Sequence, residues 1–224
     1  MSKRHTLTRE RLDGTVIDIE FLLLAVIQGL ALTTLVVDAE NVIGEGQWLY
    51  WPYVISAFVL IINFWALATV HSISFISWPF DLVHTILYLL AAFVEVSAFA
   101  QVTHPERWFV FTFAFFVVSA LLYVWDMRMI EVRRPDFQDT PARARLYDHI
   151  HDWQRSELRF VLPAALLFQG GVVGVLLLWP DLILGGNRHL YVVGAQIIFG
   201  LAYLGYTLRS FEARKRLISA CAEV

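Results

Sequence analysis

The stretch DGTVIDIEFLLLAVIQGLAL, residues 13–32, places Asp18, Glu20 and Gln28 where a bilayer-crossing helix would ordinarily carry leucine. An aspartate in a membrane helix costs about 2.5–3.5 kcal/mol on insertion scales. Such groups are kept when they serve a protein partner, a water-filled path or an ion. Further along, apolar runs carry Asn63, His71, Asp81, His84, Glu95, Gln169 and Gln196. Asp81 and His84 are three apart and share a helical face. With His71 across a short turn they are expected to form a small cluster near one membrane face. Two imidazoles and a carboxylate suit a divalent metal in principle, but this spacing matches no ligand motif. A hydrogen-bonded structural cluster is the expectation, with no metal and no cofactor. His149 and His151 in YDHIHDW point about 200° apart on a helix, so they do not chelate together and are read as a solvated face. Asn63 and the three glutamines are expected to bond between helices, at about 0.6 kcal/mol each. Glu95 is read as lying midway along its span, so it should be neutral or paired inside the bundle.

The elements that hold these residues are long and apolar. Of 224 residues, 58% are hydrophobic and only 17% charged, and mean hydropathy is +0.61. Soluble domains average roughly 25% charged residues, so the composition assigns the chain to the bilayer. Six stretches reach the roughly 20 residues needed to cross it: 16–37, 52–71, 80–101, 108–127, 160–179 and 189–208. The fold class expected is all-α, one six-helix transmembrane domain over 1–224. The first run is expected to remain as a span rather than act as a cleaved leader. The connection 128–159 is charged and broken by Pro135 and Pro141. It is expected to hold a short amphipathic helix around 142–156, lying on the membrane surface.

Charge orients the spans. Lys3, Arg4, Arg9 and Arg11 precede the first. Seven arginines lie in the 128–159 connection, and Arg209, Arg214, Lys215 and Arg216 follow the last. The opposite side has the lysine- and arginine-free DAENVIGEGQ and the isolated Arg107 and Arg188. The positive-inside rule places both termini in the cytoplasm of a multi-pass cell-membrane protein. Trp48, Tyr50, Trp51, Tyr53, Trp78, Trp108, Tyr123, Trp125 and Trp179 fall at the expected headgroup depths. The net charge of −3 gives no reason to expect nucleic acid. The single cysteine, Cys221, excludes an internal disulfide. No GxSxG, HExxH or phosphate-cradling loop is present, and no enzymatic activity is expected. Gly170, Gly171, Gly174, Gly194, Gly200 and Gly205 suggest close packing between the fifth and sixth spans.

The opening RERLDGTVIDIEFLLL has an arginine, then Asp13-Gly14, then a leucine-rich helix. The second span carries Pro52, Ser56, Phe58, Phe64, Trp65 and His71. In these features and in overall layout the chain resembles the prokaryotic TMEM175-like family of six-helix potassium-permeable channels. It departs from that family's Phe-Ser-Asp-Gly opening, having Arg11 and Leu12 before Asp13. The resemblance implies a tetramer with the first helix lining a pore for monovalent cations. An ungapped match at Asp13-Gly14 places Asp18 at the family's narrowest apolar position, with Leu22, Ala25 and Gly29 continuing the face. A ring of aspartates attracts cations. The expected function is thus an oligomeric cation channel, for potassium or protons. The alternatives are a non-transporting accessory or signalling protein, or an intramembrane metal-binding enzyme using His71, Asp81, His84 and Glu95.

Overall fold

The computed structural model describes residues 3–74 and 81–222, with side chains described for Ile19, 22–71 and 81–221. Among the described residues eight α-helices follow one another: α1 (Lys3–Gly44), α2 (Trp51–Ser74), α3 (Leu82–Phe99), α4 (Pro105–Val132), α5 (Pro141–Ser156), α6 (Leu162–Leu178), α7 (Pro180–Leu184) and α8 (His189–Ala222). Among the described residues there is no strand. The chain is an all-α multi-pass membrane protein, with six helices long and apolar enough to cross a bilayer.

Local chemistry sets the boundaries. The Asp81 side chain accepts the backbone N–H of His84 and starts α3. Thr140 accepts that of Arg143 and starts α5, with Pro141 at the first helical position, where a missing N–H costs nothing. Pro105 opens α4 in the same way. Pro180 ends the α6 direction and begins α7 after Trp179 takes a non-helical φ of −142°. Beyond α1 the chain turns at Gly46, φ +66°, a conformation that glycine adopts at little cost.

The spans run longer than their apolar cores suggest. α1 continues through Asp38 and Glu40 to Gly44, so most of the stretch read as an outer loop is helix. α8 continues to Ala222, so the basic tail is helical as well. α5 and α6 form one rod joined by a π-helical turn at Glu157–Val161. α5 is amphipathic, as expected. Its apolar side, Leu146, Tyr147 and Ile150, packs against Met129, Ile130 and Phe137, with Leu217, Ile218 and Cys221 alongside. The protruding ends of α4 and α8 offer this face a protein surface, and burying it there removes the need for lipid.

Helix contacts run in the order α8, α2, α1, α3, α4, α6. The two ends of that series meet through Gln196 and Gln169, and the six helices form a ring. One end of the ring, the basic end, joins the C-terminal parts of α4 and α8 to α5. The far end is sealed by a larger apolar cluster including Val42, Tyr53, Val102, Trp108, Ile183 and Val193.

The aromatic residues divide into two groups. Trp48 and Trp179 are exposed, as headgroup anchors should be, but Tyr53, Trp108 and Tyr123 are buried. Their polar atoms find partners within the ring, which makes burial possible. Trp78 lies outside the described residues. The glycines also depart from expectation. A Cβ on Gly171, Gly174, Gly194 or Gly205 would meet nothing within 4 Å. Gly170 faces Phe113 of α4 and Gly200 faces Val59 of α2, because α6 and α8 each pack on their ring neighbour rather than on each other. A Cβ at Gly200 would lie 2.6 Å from Val59 Cγ1, and a β-branched side chain is stiff. Gly200→Leu is therefore expected to lower thermal stability in detergent by about 1–3 kcal/mol through overpacking. Adding Val59→Ala should recover much of it. An unfolding midpoint unchanged in the single variant would show that α2 and α8 do not meet so closely.

Candidate functional site in the helix ring

The ring encloses a cavity of about 420 Å³ lined by residues of α1, α2, α3, α4, α6, α8 and the π-turn. Its walls are apolar and aromatic. Phe64 and Tyr88 stack at 5.2 Å, and Phe64 meets Phe115 edge-on at 5.8 Å. Polar groups gather at its two ends.

At the basic end the central residue is Asp126 of α4, 2% exposed. His84 Nε2 lies 3.3 Å from Asp126 Oδ1, and His71 Nδ1 lies 3.6 Å from Oδ2. One carboxylate thus joins α2, α3 and α4. The expected grouping of His71, Asp81 and His84 is altered by it. Asp81 is turned to the start of α3, and its Oδ1 also accepts Trp125 Nε1–H at 3.0 Å. The physical reason is position: Asp81 is the residue before the first helical turn, where backbone N–H groups lack partners. Among the described residues, no three histidines, cysteines or acids converge to hold a metal.

A second chain of bonds begins beside His71, whose ring packs edge-on against Tyr123 and Trp153. The hydroxyls of Tyr123 and Tyr203 are 3.0 Å apart, and Tyr203 donates to Glu157 Oε2 at 3.1 Å. Gln154 donates to the Tyr123 carbonyl at 3.0 Å. The Arg214 guanidinium stacks 4.2 Å over Trp153. Asp126, Gln154, Glu157 and Arg214 are all buried, yet the sequence marks none of them as a site residue. Asp126 shares a stripe with Ser119, Tyr123 and Ile130, spaced four, three and four, and that spacing is a usable signal. Glu157 has the same signal: it continues the buried stripe Leu146, Ile150 and Trp153, spaced four, three and four, although its neighbours in sequence are charged.

Towards the far end, Trp108 Nε1–H donates to Gln196 Oε1 at 3.1 Å and Gln196 donates to Gln169 at 3.0 Å, linking α4, α8 and α6. Tyr53 OH and His189 Nδ1 are 2.9 Å apart. Asn63 donates to the Val59 carbonyl within α2 and, across helices, to the Gly200 carbonyl; apart from the bond to Val59, all of these cross between helices. These are interhelical bonds of the kind expected for Asn63, Gln169 and Gln196. Gln28 also bonds between helices, donating to Glu95 Oε2 at 3.3 Å. Both are buried. Glu95 is not midway along its helix, since α3 ends at Phe99. It lies one turn from that end.

The described pore positions expected on α1 share one outward face. Leu22, Ala25 and Gly29 are exposed, whereas Gln28 belongs to the buried face with Leu24, Ala31 and Leu35. The side chains of Asp18 and Glu20 lie outside the described residues. The exposed face continues through Thr33 and Val36 to Glu40. Comparison with protein-family models, curated proteins and solved structures finds no match to this chain.

Proposed function

We propose that the chain forms a homo-oligomeric channel for monovalent cations, potassium or protons, in a cell membrane. In this reading α1 surrounds the axis and both termini are cytoplasmic. The observation that supports it is the outward stripe Leu22–Ala25–Gly29–Thr33–Val36–Glu40. The eighteen steps from Leu22 to Glu40 make five turns at about 3.6 residues each, so the stripe runs straight along the helix. It is narrow in the middle, where Ala25 and Gly29 present almost no side chain. Its one hydroxyl, Thr33, donates to the Gly29 carbonyl. By spacing, Asp18 extends the stripe at one end, and Glu40 supplies a carboxylate at the other. Acids at both mouths of a small-residue path draw cations in from either side. Bulky Val26, Leu30 and Val37 flank the stripe, as expected for side chains that meet lipid or a neighbouring copy.

The test combines two measurements on the purified full chain. Mass determination in detergent should give a closed oligomer, four copies if the TMEM175-like layout applies. Liposomes containing it should then pass potassium or protons down a gradient faster than protein-free liposomes. A monomer with no flux would replace the channel reading with that of an accessory protein.

A further inference from the structure

The interior cavity has chemistry that the α1 stripe does not share. Besides Asp126 Oδ1, which His84 Nε2 approaches at 3.3 Å, three buried lining residues each carry an atom with no hydrogen-bond partner: Glu157 Oε1, Asn63 Oδ1 and Ser119 Oγ. Two of the three accept only, and the hydroxyl can accept. The complementary occupant must therefore donate hydrogen bonds or carry positive charge. Water satisfies such atoms where polar groups cluster, but it leaves the aromatic and leucine walls between the two polar ends without a complement. An occupant that satisfies both parts of the lining is apolar over most of its surface and cationic at one point.

The charges around the site agree. Glu157 and Asp126 are the carboxylates of the lining. Asp126 is engaged by His71 and His84, and Glu157 keeps one oxygen for Tyr203. Arg214 acts electrostatically on Glu157 from outside, stacked on Trp153, and does not line the cavity. Tyr88, Phe115, Phe116 and Tyr203 also line it. Aromatic ring faces attract a desolvated cation. Phe168 of α6 and Phe199 of α8 line the cavity and are also exposed, which makes the α6–α8 seam the way in from the bilayer.

We propose that this cavity binds a hydrophobic organic cation, with Glu157 as its counter-ion and the aromatic walls around its apolar body. The site belongs to a single chain and does not depend on the channel reading.

The test is equilibrium binding of labelled tetraphenylphosphonium to the full chain in nanodiscs, with uncharged triphenylphosphine oxide as competitor. Saturable binding of one cation per chain is expected, little affected by the uncharged compound. Glu157→Gln keeps the bond from Tyr203 and should weaken binding at least about tenfold, a modest demand for a buried charge pair. Glu157→Asp should retain most of it. Ser119→Phe fills the cavity without touching charge and should also abolish binding, which covers the case in which Glu157→Gln fails to fold. Binding no greater than to protein-free nanodiscs would overturn the proposal. So would equal affinity for the uncharged compound, or unchanged binding in folded Glu157→Gln.

Discussion

Asp126→Leu is expected to destabilise the bundle by about 2–3 kcal/mol. The carboxylate is 2% exposed and lies between His71 of α2 and His84 of α3. Removing it takes away the partner that the two imidazoles share and the tie it makes from α4 to α2 and α3. Breaking a fully sealed ion pair from one side costs ~3–5 kcal/mol. The histidines retain 15% and 18% of their side-chain exposure, so water offsets part of that. Asp126→Asn keeps an acceptor and should cost less. The triple replacement of Asp126, His71 and His84 by leucine should recover much of the loss, since an apolar substitute for a whole buried polar group is often neutral. Thermal unfolding in matched detergent reads the series, at about 2–4 °C per kcal/mol for a chain of this length. A midpoint that does not move in Asp126→Leu would mean the cluster contributes nothing to holding α2, α3 and α4 together.

Asp126 also shows where sequence reading stops. The six spans are legible because hydrocarbon thickness sets a length and lipid excludes charge. The polar ties Gln28–Glu95, Asn63–Gly200 and Gln169–Gln196 follow from the rule that an intramembrane amide needs a partner. Which partner it finds depends on ring order, and hydropathy carries no information about that. Spacing groups Asp81 with the histidines because residues three apart share a face, but Asp81 lies just outside the helix, where capping governs. Asp126 and Arg214 escape a reading by composition because charges near span ends normally reach water. Here the long ends of α4 and α8, with α5 packed on them, cover both. Glu157 continues the inward stripe of α5 after Ile150 and Trp153, but a carboxylate among charged residues reads as solvated, so composition leaves it unmarked.

The other large effect concerns transport. Asp18→Lys should nearly abolish cation flux through reconstituted protein, and Asp18→Asn should reduce it. By spacing, Asp18 is one turn before Leu22, on the stripe that continues through Ala25, Gly29 and Thr33. If these stripes meet at an axis, each carboxylate lies across the path from its copies. A charge about 6 Å from a passing ion is worth about 3 kcal/mol at an effective dielectric constant near 20. Replacing attraction by repulsion at several such positions lowers local cation occupancy by more than about a hundredfold. Glu20 points about 200° away from Asp18, so Glu20→Gln should leave flux per oligomer unchanged and act, if at all, on assembly. The measurement is potassium and proton flux for the parent and three variants at equal reconstituted amounts, each checked for oligomeric state. Parent-like flux in a correctly assembled Asp18→Lys variant would remove Asp18 from the path. If Glu20→Gln alone reduced flux, the opposite face of α1 would have to be the one at the axis.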